Sequence, residues 1–143
     1  MTSRFDLDVE AIKRSSAVHA AAIVEGRDER CLALTSIGRK SGKPRTTALI
    51  YGAEGENFII VGSLGGAPAS PQWCHNLEAN PEASVHVDGI EMPVIARIAE
   101  GEERSRLWEM MVGLFPPYAE YQLKTERVIP IFVLQPNGTP RQG

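Results

Sequence analysis

The segment RTTALIYGAEGENFIIVGS, residues 45–63, decides the fold. It holds two apolar runs, RTTALIYGA and NFIIVGS, whose β-branched and aromatic residues are typical of strands. The short polar connector EGEN, residues 54–57, lies between them. A connector this short joins antiparallel neighbours, because parallel strands need a crossover of about a dozen residues or more. The segment therefore predicts a β-hairpin.

Four further strand-like runs surround this hairpin. They are CLALTSI (31–37), ASVHVD (83–88), EMPVIARIA (91–99) and VIPIFVL (128–134). The pair Asp88-Gly89 marks a second tight turn between two of them. Six short strands with hairpin turns predict an α+β protein, in which a small and mainly antiparallel barrel carries helices on its outside.

Helical patterns precede and interrupt the strands. Residues 1–26 predict an N-terminal helix that ends at a glycine. PQWCHNLEANP (71–81) predicts a short helix, because a proline stands at each end. GEERSRLWEMMVGLF (101–115) carries acids in its first turn and apolar residues along one face, as an amphipathic helix does. Residues 135–143 predict a flexible tail, so the 143 residues form one predicted domain.

The composition excludes several classes of function. A formal net charge of −3 argues against a dedicated nucleic-acid binder, which is usually basic. No apolar run approaches the roughly 18 residues that span a bilayer, and the N-terminus is acidic where a secretory signal would be apolar. We therefore predict a cytoplasmic protein without a transmembrane segment. Cys31 and Cys74 lack the spacing of a zinc site, which predicts two thiols and no metal.

The segment GRKSGKPRTT, residues 38–47, concentrates positive charge. It is called the basic segment below, and it holds four of the chain's 15 Lys and Arg residues. Such close like charges repel one another unless an anion joins them. Its glycines and proline predict a turn whose N–H groups can help to surround a phosphate, although a solvated hairpin tip would look the same. The segment is not a Walker loop, so nucleotide hydrolysis has no support.

Two other features suggest a pocket for a flat ligand. The run VGSLGGAP, residues 61–68, permits close backbone approach to a ring, or forms only a flexible loop. Val61 stands where the G-x-S-x-G elbow needs glycine, so Ser63 is not predicted to be a hydrolase nucleophile. Phe115, Tyr118 and Tyr121 either line an apolar pocket or pack at the foot of a helix. The chain thus looks suited to hold a group that brings its own chemistry.

Several blocks together resemble a known family. LTSIGRKSGKPRTT, VGSLGGAPASPQWCHNLEANP, GEERSRLW, PPYAEYQ and RVIPIFVL are similar, in this order, to the deazaflavin-dependent nitroreductases, which use coenzyme F420. The resemblance runs from about residue 32 to residue 134. It implies a split β-barrel and a bound deazaflavin with a polyanionic phospholactyl-glutamate tail. That tail is the anion for which the basic segment is suited.

The resemblance also implies roles for individual residues. The phosphate and acidic tail are expected on Arg39, Lys40, Ser41, Lys43, Arg45 and Thr47. The ring is expected beside Gly62, Leu64, Gly65, Gly66, Ala67, Trp73 and Asn76. Substrate is expected to be oriented or protonated by Ser63, Tyr118 and Tyr121. Ile50 and Phe115 are expected in the substrate pocket, where relatives that reduce nitroimidazoles can carry tyrosine.

The implied reaction is hydride transfer from the reduced deazaflavin to an electron-poor conjugated small molecule. The expected acceptors are α,β-unsaturated esters and lactones such as furanocoumarins, with quinones and nitro compounds as further classes. Two alternatives stay open from the sequence. One is an FMN- or haem-binding protein of the same barrel class, and the other is a non-catalytic deazaflavin carrier.

Overall fold

The computed structural model describes residues 30–87 and 89–142. The predicted N-terminal helix and Asp88 lie outside the described residues. Among the described residues, no helix is both long and apolar enough to cross a membrane.

The described chain contains seven strands, three α-helices and a short 3-10 turn. The strands are β1 (Arg30–Ile37), β2 (Pro44–Glu54), β3 (Asn57–Val61), β4 (Glu82–Val87), β5 (Ile90–Ile98), β6 (Ile131–Pro136) and β7 (Arg141–Gln142). The α-helices are α1 (Gln72–Ala79), α2 (Gly101–Leu114) and α3 (Pro117–Leu123). The 3-10 turn spans Leu64–Gly66 and follows β3.

Six strands close into an antiparallel barrel. The order β4-β1-β2-β3-β6-β5 is completed by pairing of β4 with β5. The predicted hairpins are both present, since β2 pairs with β3 and β4 pairs with β5. The α+β barrel with helices on its outside is therefore confirmed. The β2–β3 and β4–β5 pairs are antiparallel because their tight connectors leave no room for crossovers.

The alternation of side chains along the strands separates two cores. Inside the barrel, the core includes Leu32, Leu34, Ile60 and Phe132. A second core lies between the outer faces of β3 and β6 and the helices α2 and α3. Successive residues of β3 divide between them, since Ile60 belongs to the inner core and Ile59 to the outer one.

A glycine lets α2 approach the barrel closely. A Cβ atom at Gly52 would lie 2.6 Å from Sδ of Met111, closer than side chains pack. A larger residue at position 52 would therefore require the Met111 side chain to move.

The C-terminal residues differ from the predicted flexible tail. β6 extends to Pro136, and β7 pairs with the start of β5 through Ile90 and Glu91. The backbone N–H of Asn137 donates to O of Pro93, which holds the intervening turn against β5. The start of β6 also differs, because the predicted run begins at residue 128 and the strand begins at residue 131.

The barrel is split between β2 and β3. β2 pairs with β1 over most of its length, from Pro44 to Tyr51. It pairs with β3 only from Gly52 to Glu54. One edge of residues 44–51 is therefore left without a partner strand among the described residues. Both faces of this edge are accessible to a ligand that enters the split.

Candidate cofactor and substrate site

A large cavity lies along the unpaired edge of β2. Its volume is about 1000 Å³, which is enough for a cofactor with a substrate beside it. Its wall is formed by residues 45–50 of β2, by the basic segment, by the start of α1 and by the aromatic residues after α2. The remaining wall comes from the end of β3 and the loop after it, residues 62–70, which we call the cavity loop.

Most of the predicted site residues line this cavity. Those that do are Arg39, Lys40, Ser41, Arg45, Thr47, Ile50, Ser63, Leu64, Gly65, Trp73, Asn76, Phe115, Tyr118 and Tyr121. Four others, Lys43, Gly62, Gly66 and Ala67, are not part of the described lining.

The basic segment is held in place by hydrogen bonds to α1. The backbone N–H of Arg39 donates to Oδ1 of Asn76 at 3.0 Å, and its Nη1 donates to Oε1 of Gln72 at 2.6 Å. Within the turn, the N–H of Gly38 donates to O of Lys43 at 2.8 Å. Asn76 is only 5% exposed, so its amide is fixed by the surrounding core. The segment is thus preformed rather than a loose hairpin tip.

The end of the cavity beside the basic segment is electropositive. Arg39, Lys40 and Arg45 contribute three cations to the lining, and none of the described lining residues is acidic. Thr46 adds a hydroxyl that is hydrogen-bonded to Oγ1 of Thr35 at 2.9 Å. A charge distribution of this kind attracts an anion and releases it as salt rises.

The opposite end of the cavity is aromatic and aliphatic. The rings of Phe115 and Tyr118 meet edge to face with centroids 5.0 Å apart, and Tyr121 lies 6.4 Å from Phe115. Ile50 and Val61 complete this wall. Tyr118 is 5% exposed and belongs to the outer core as well. The two sequence interpretations of these rings, pocket wall and helix packing, are therefore both correct in part.

The alternation predicted for β2 places its residues on two faces of the strand. Arg45 lies opposite Ser36 and Thr47 opposite Leu34, so both share the face that looks into the barrel. Ile50 lies opposite Cys31 on the other face. Arg45 and Ile50 are also five residues apart, about 16 Å along the strand, so β2 carries a cation towards one part of the cavity and an apolar side chain towards another.

The cavity loop has an unusual backbone. Leu64, Gly65 and Gly66 have φ values of +43°, +63° and +84°, all in the left-handed region. Glycine adopts this region readily, whereas leucine does so at a cost in free energy. Leu64 and Gly65 line the cavity, and the Leu64 side chain is 57% exposed there.

Two glycines that were expected beside the ring contact the protein instead. A Cβ at Gly62 would lie 2.5 Å from Sγ of Cys74, and one at Gly66 would lie 2.6 Å from O of Tyr121. Gly62 therefore allows β3 to approach α1, and Gly66 allows the cavity loop to approach α3. Their place beside the ring stays a prediction, and the close partner that the structure describes is the chain itself.

Cys74 does not resemble a nucleophile. It is fully buried, and burial, with a smaller effect from the Glu78 carboxylate, raises the pKa of its thiol to about 12. Reactive cysteines have a lowered pKa and partial exposure.

Trp73, the residue before Cys74, packs edge to face on Phe132 with centroids 5.5 Å apart. Among the described residues, no group of three His, Cys, Asp or Glu side chains could hold a metal ion.

Sequence reasoning missed Arg127. Its guanidinium donates hydrogen bonds to O of Ser63, O of Ala67 and Oγ of Ser70, all in the cavity loop. Two of these acceptors are backbone oxygens, which leave no signature in the side-chain sequence. It also missed Thr46, Ala48 and Leu49, which border the cavity because the β2 edge beside them has no partner. No periodic pattern would have revealed that gap.

Residues 7–136 match the sequence model of the F420H(2)-dependent quinone reductase family. The chain belongs to this family. An F420H(2)-dependent quinone reductase of Mycobacterium tuberculosis strain H37Rv is 39% identical over 106 residues, which cover 72% of this chain and 71% of the relative. The family resemblance inferred from the sequence is therefore confirmed.

Two solved structures are similar in sequence and in fold. An F420-H2 dependent reductase, FDR-A, is 43% identical with a TM-score of 0.68, and the match covers 73% of this chain and 93% of that one. A structure described as a domain-swapped dimer is 37% identical with a TM-score of 0.69, and the match covers 86% of this chain and 98% of that one. The split barrel is confirmed by these likenesses. The chain is thus an oxidoreductase whose cofactor is reduced coenzyme F420.

Proposed function

We propose that this reductase binds F420 along the β2 edge and transfers hydride to flat, electron-poor conjugated carbonyl compounds. The observation that supports the proposal best is the division of one cavity into a cationic end and an aromatic end. A polyanionic tail fits the first end and a planar acceptor fits the second. The cofactor, when bound, supplies the hydride.

The basic segment would hold the anionic tail. Arg39, Lys40 and Arg45 offer guanidinium and ammonium donors, which form strong charge-assisted hydrogen bonds with phosphate and carboxylate. Ser41 and Thr47 add hydroxyl groups from the same wall. Lys43, which the resemblance also assigns to the tail, is exposed outside the described lining, so its contribution is expected to be smaller. The donor set therefore fits the cofactor.

The middle of the cavity would hold the ring. Leu64, Gly65, Trp73 and Asn76 all belong to the lining. Trp73 is fixed by its packing on Phe132, and Asn76 by the hydrogen bond that it accepts from the N–H of Arg39. A rigid wall aligns a donor and an acceptor within the roughly 3.5 Å that transfer requires, and it displaces water from between them.

The aromatic end would hold the acceptor. Ile50, Val61 and Phe115 form an apolar wall that matches a flat hydrocarbon skeleton. Reduction of a conjugated carbonyl also needs a proton, and Oη of Tyr121 or of Tyr118 is the proposed donor, with Ser63 orienting the substrate. Ile50 and Phe115 carry no hydroxyl for the oxygens of a nitro group. Buried polar substituents without a partner are costly, so nitroimidazoles are expected to be poor acceptors.

Quinones and unsaturated lactones are the same kind of hydride acceptor. Both present a planar conjugated system whose carbonyl stabilises the electrons that arrive with hydride. The relative from Mycobacterium tuberculosis is named for quinones. The proposed acceptors are therefore quinones and furanocoumarin-like lactones. A single-domain organisation and a cytoplasmic location stay predictions from the sequence.

An absorbance assay tests the proposal. Purified protein is mixed with reduced F420 and with a naphthoquinone, a furanocoumarin lactone or a nitroimidazole, and the loss of reduced cofactor is followed. The proposal predicts turnover with the first two and slower turnover with the third. Faster reduction of the nitroimidazole would overturn the proposed acceptor class, and tight F420 binding without turnover of any acceptor would favour a carrier.

A further inference from the structure

The guanidinium of Arg127 holds the cavity loop at three points. Its Nη2 donates to O of Ser63 at 2.8 Å, its Nε to O of Ala67 at 2.9 Å, and its Nη1 to Oγ of Ser70 at 3.1 Å. The acceptors are spread over eight consecutive positions, so one side chain fixes most of the loop. Hydrogen bonds from a charged donor are stronger than those between neutral groups.

Arg127 is itself anchored to the helix that carries the tyrosines. Its carbonyl accepts a hydrogen bond of 2.7 Å from Nε2 of Gln122, a residue of α3. Oε1 of the same Gln122 accepts from the N–H of Ile129 at 3.0 Å. The loop wall and the aromatic wall of the cavity are thus connected through one arginine and one glutamine.

The cavity loop needs such a hold because its conformation is strained. Leu64 has a φ of +43°, which L-residues other than glycine avoid. Its side chain is 57% exposed, so burial of its apolar surface offsets little of that cost. Gly65 beside it has open space on its Cβ side, and no packing there fixes its backbone. Two backbone hydrogen bonds, from N–H of Gly66 to O of Ser63 and from N–H of Ala67 to O of Leu64, and the close approach of Gly66 to α3 hold the turn locally. The Arg127 hydrogen bonds to Ser63, Ala67 and Ser70 add long-range contacts on both sides of Leu64 and Gly65.

We propose that Arg127 is a positioning residue that fixes the cavity loop before the cofactor binds. It keeps Leu64 and Gly65 in the wall of the cavity, and a wall that is already ordered costs less entropy on binding. The inference rests on the proposed placement of F420 in this cavity. Because Arg127 itself is absent from the described lining, it acts through the loop and not by contact with the cofactor.

Arg104 provides a matched control. Its Nη2 donates to a backbone oxygen, O of Ile129, at 2.7 Å, close to Arg127 in the sequence. Its guanidinium is partly buried, like that of Arg127, and its described contacts go to Ile129 and to the ring of Trp108 rather than to the cavity loop. Arg104→Gln therefore removes a comparable hydrogen bond and leaves the loop intact.

The experiment compares Arg127→Gln, Arg127→Lys and Arg104→Gln with the unchanged protein. Hydrogen exchange of the amides of residues 63–70 is measured without cofactor, and the Kd of oxidised F420 is measured by titration of its fluorescence. In Arg127→Gln, exchange is expected to be about tenfold faster and Kd about tenfold higher. In Arg104→Gln, both should stay within about twofold of the unchanged protein.

Arg127→Lys separates charge from geometry. Lysine keeps the charge but lacks the planar fork, so weakened binding is expected to persist in this variant. Full affinity in Arg127→Lys, or unchanged loop exchange in Arg127→Gln, would overturn the inference. If Arg127→Gln does not fold, Ser70→Ala removes one acceptor only and should still speed loop exchange, and unchanged exchange there would overturn it equally. Faster exchange with unchanged F420 affinity would instead count against the cofactor placement.

Discussion

The backbone N–H of Arg39 donates a 3.0 Å hydrogen bond to Oδ1 of Asn76, a residue 37 positions later in the chain. This bond joins the basic segment to α1 and fixes the direction of the cationic end of the cavity. Asn76 also lines the cavity itself. The helix and the segment therefore act as one rigid wall.

Asn76→Ala is expected to weaken F420 binding about tenfold, because the N–H of Arg39 loses its acceptor and the basic segment loosens. Asn80→Ala is the control, since Oδ1 of Asn80 accepts a similar backbone hydrogen bond from Glu82 at 3.1 Å outside the cavity lining. Titration of cofactor fluorescence gives both affinities. Equal losses in the two variants would contradict the role assigned to Asn76.

The double variant Lys40→Ala, Arg45→Ala should bind F420 far more weakly, with about 1.5–3 kcal/mol lost for each charge-assisted contact. Folding should be little affected, because both side chains are exposed. Affinity of the unchanged protein should fall as salt rises, and the variant should show a shallower dependence. Lys43 lies outside the lining, so Lys43→Ala is expected to lose less affinity for F420. Unchanged affinity in the double variant would remove the proposed tail site.

Cys74→Ala should retain most activity, because a thiol with a pKa near 12 is not a nucleophile at neutral pH. An assay of turnover with reduced F420 measures this.

The Cys74 thiol also makes the stability of the protein depend on pH. Its pKa is raised above the usual value of 9.0, so its stabilising effect is complete below about pH 9 and is lost between about pH 9 and pH 12. From pH 8 to pH 10, the free energy of unfolding should fall by about 1.4 kcal/mol more in the unchanged protein than in Cys74→Ala. Urea denaturation at both pH values measures this, and equal losses would show that Cys74 does not titrate as described.

Tyr121→Phe and Tyr118→Phe test the proton donor. Each keeps the apolar wall and deletes one hydroxyl, so the variant that removes the donor should lose about 10²–10⁴-fold in kcat. Tyr51→Phe is the control, because Tyr51 lies in the inner core and outside the cavity lining. Losses below tenfold at both Tyr118 and Tyr121 would assign protonation to solvent.

Much of the fold was predictable because its signals are local. The connectors near residues 54–57 and at Gly89 specify hairpins by their length alone, and the prolines beside α1 mark its ends. Contacts between distant segments left no such signal. The approach of Cys74 to Gly62, where a Cβ atom would lie 2.5 Å from Sγ, is one such contact. The pairing of β7 left no signal in the predicted tail either, since its partner, the start of β5, is about 50 residues away.

The candidate site, too, was predictable where its signal is local and not where it depends on contacts between distant segments. The cations of the basic segment stand out in a chain of net charge −3, so an anion site was predictable from charge density. The gap between β2 and β3 was not, since it depends on where one strand pairing stops. Arg127 was not predictable either, because the meaning of a single arginine depends on which carbonyl groups surround it.

Isotope transfer tests the proposed reaction most directly. Reduced F420 carrying deuterium at its hydride-donating carbon is incubated with the protein and a furanocoumarin lactone, and the product is examined by mass spectrometry. Direct hydride transfer predicts a reduced lactone with one deuterium atom, attached at the carbon β to the carbonyl group. A reduced lactone without deuterium would contradict direct transfer, and an unreduced lactone with the cofactor still bound would contradict the proposed substrate class.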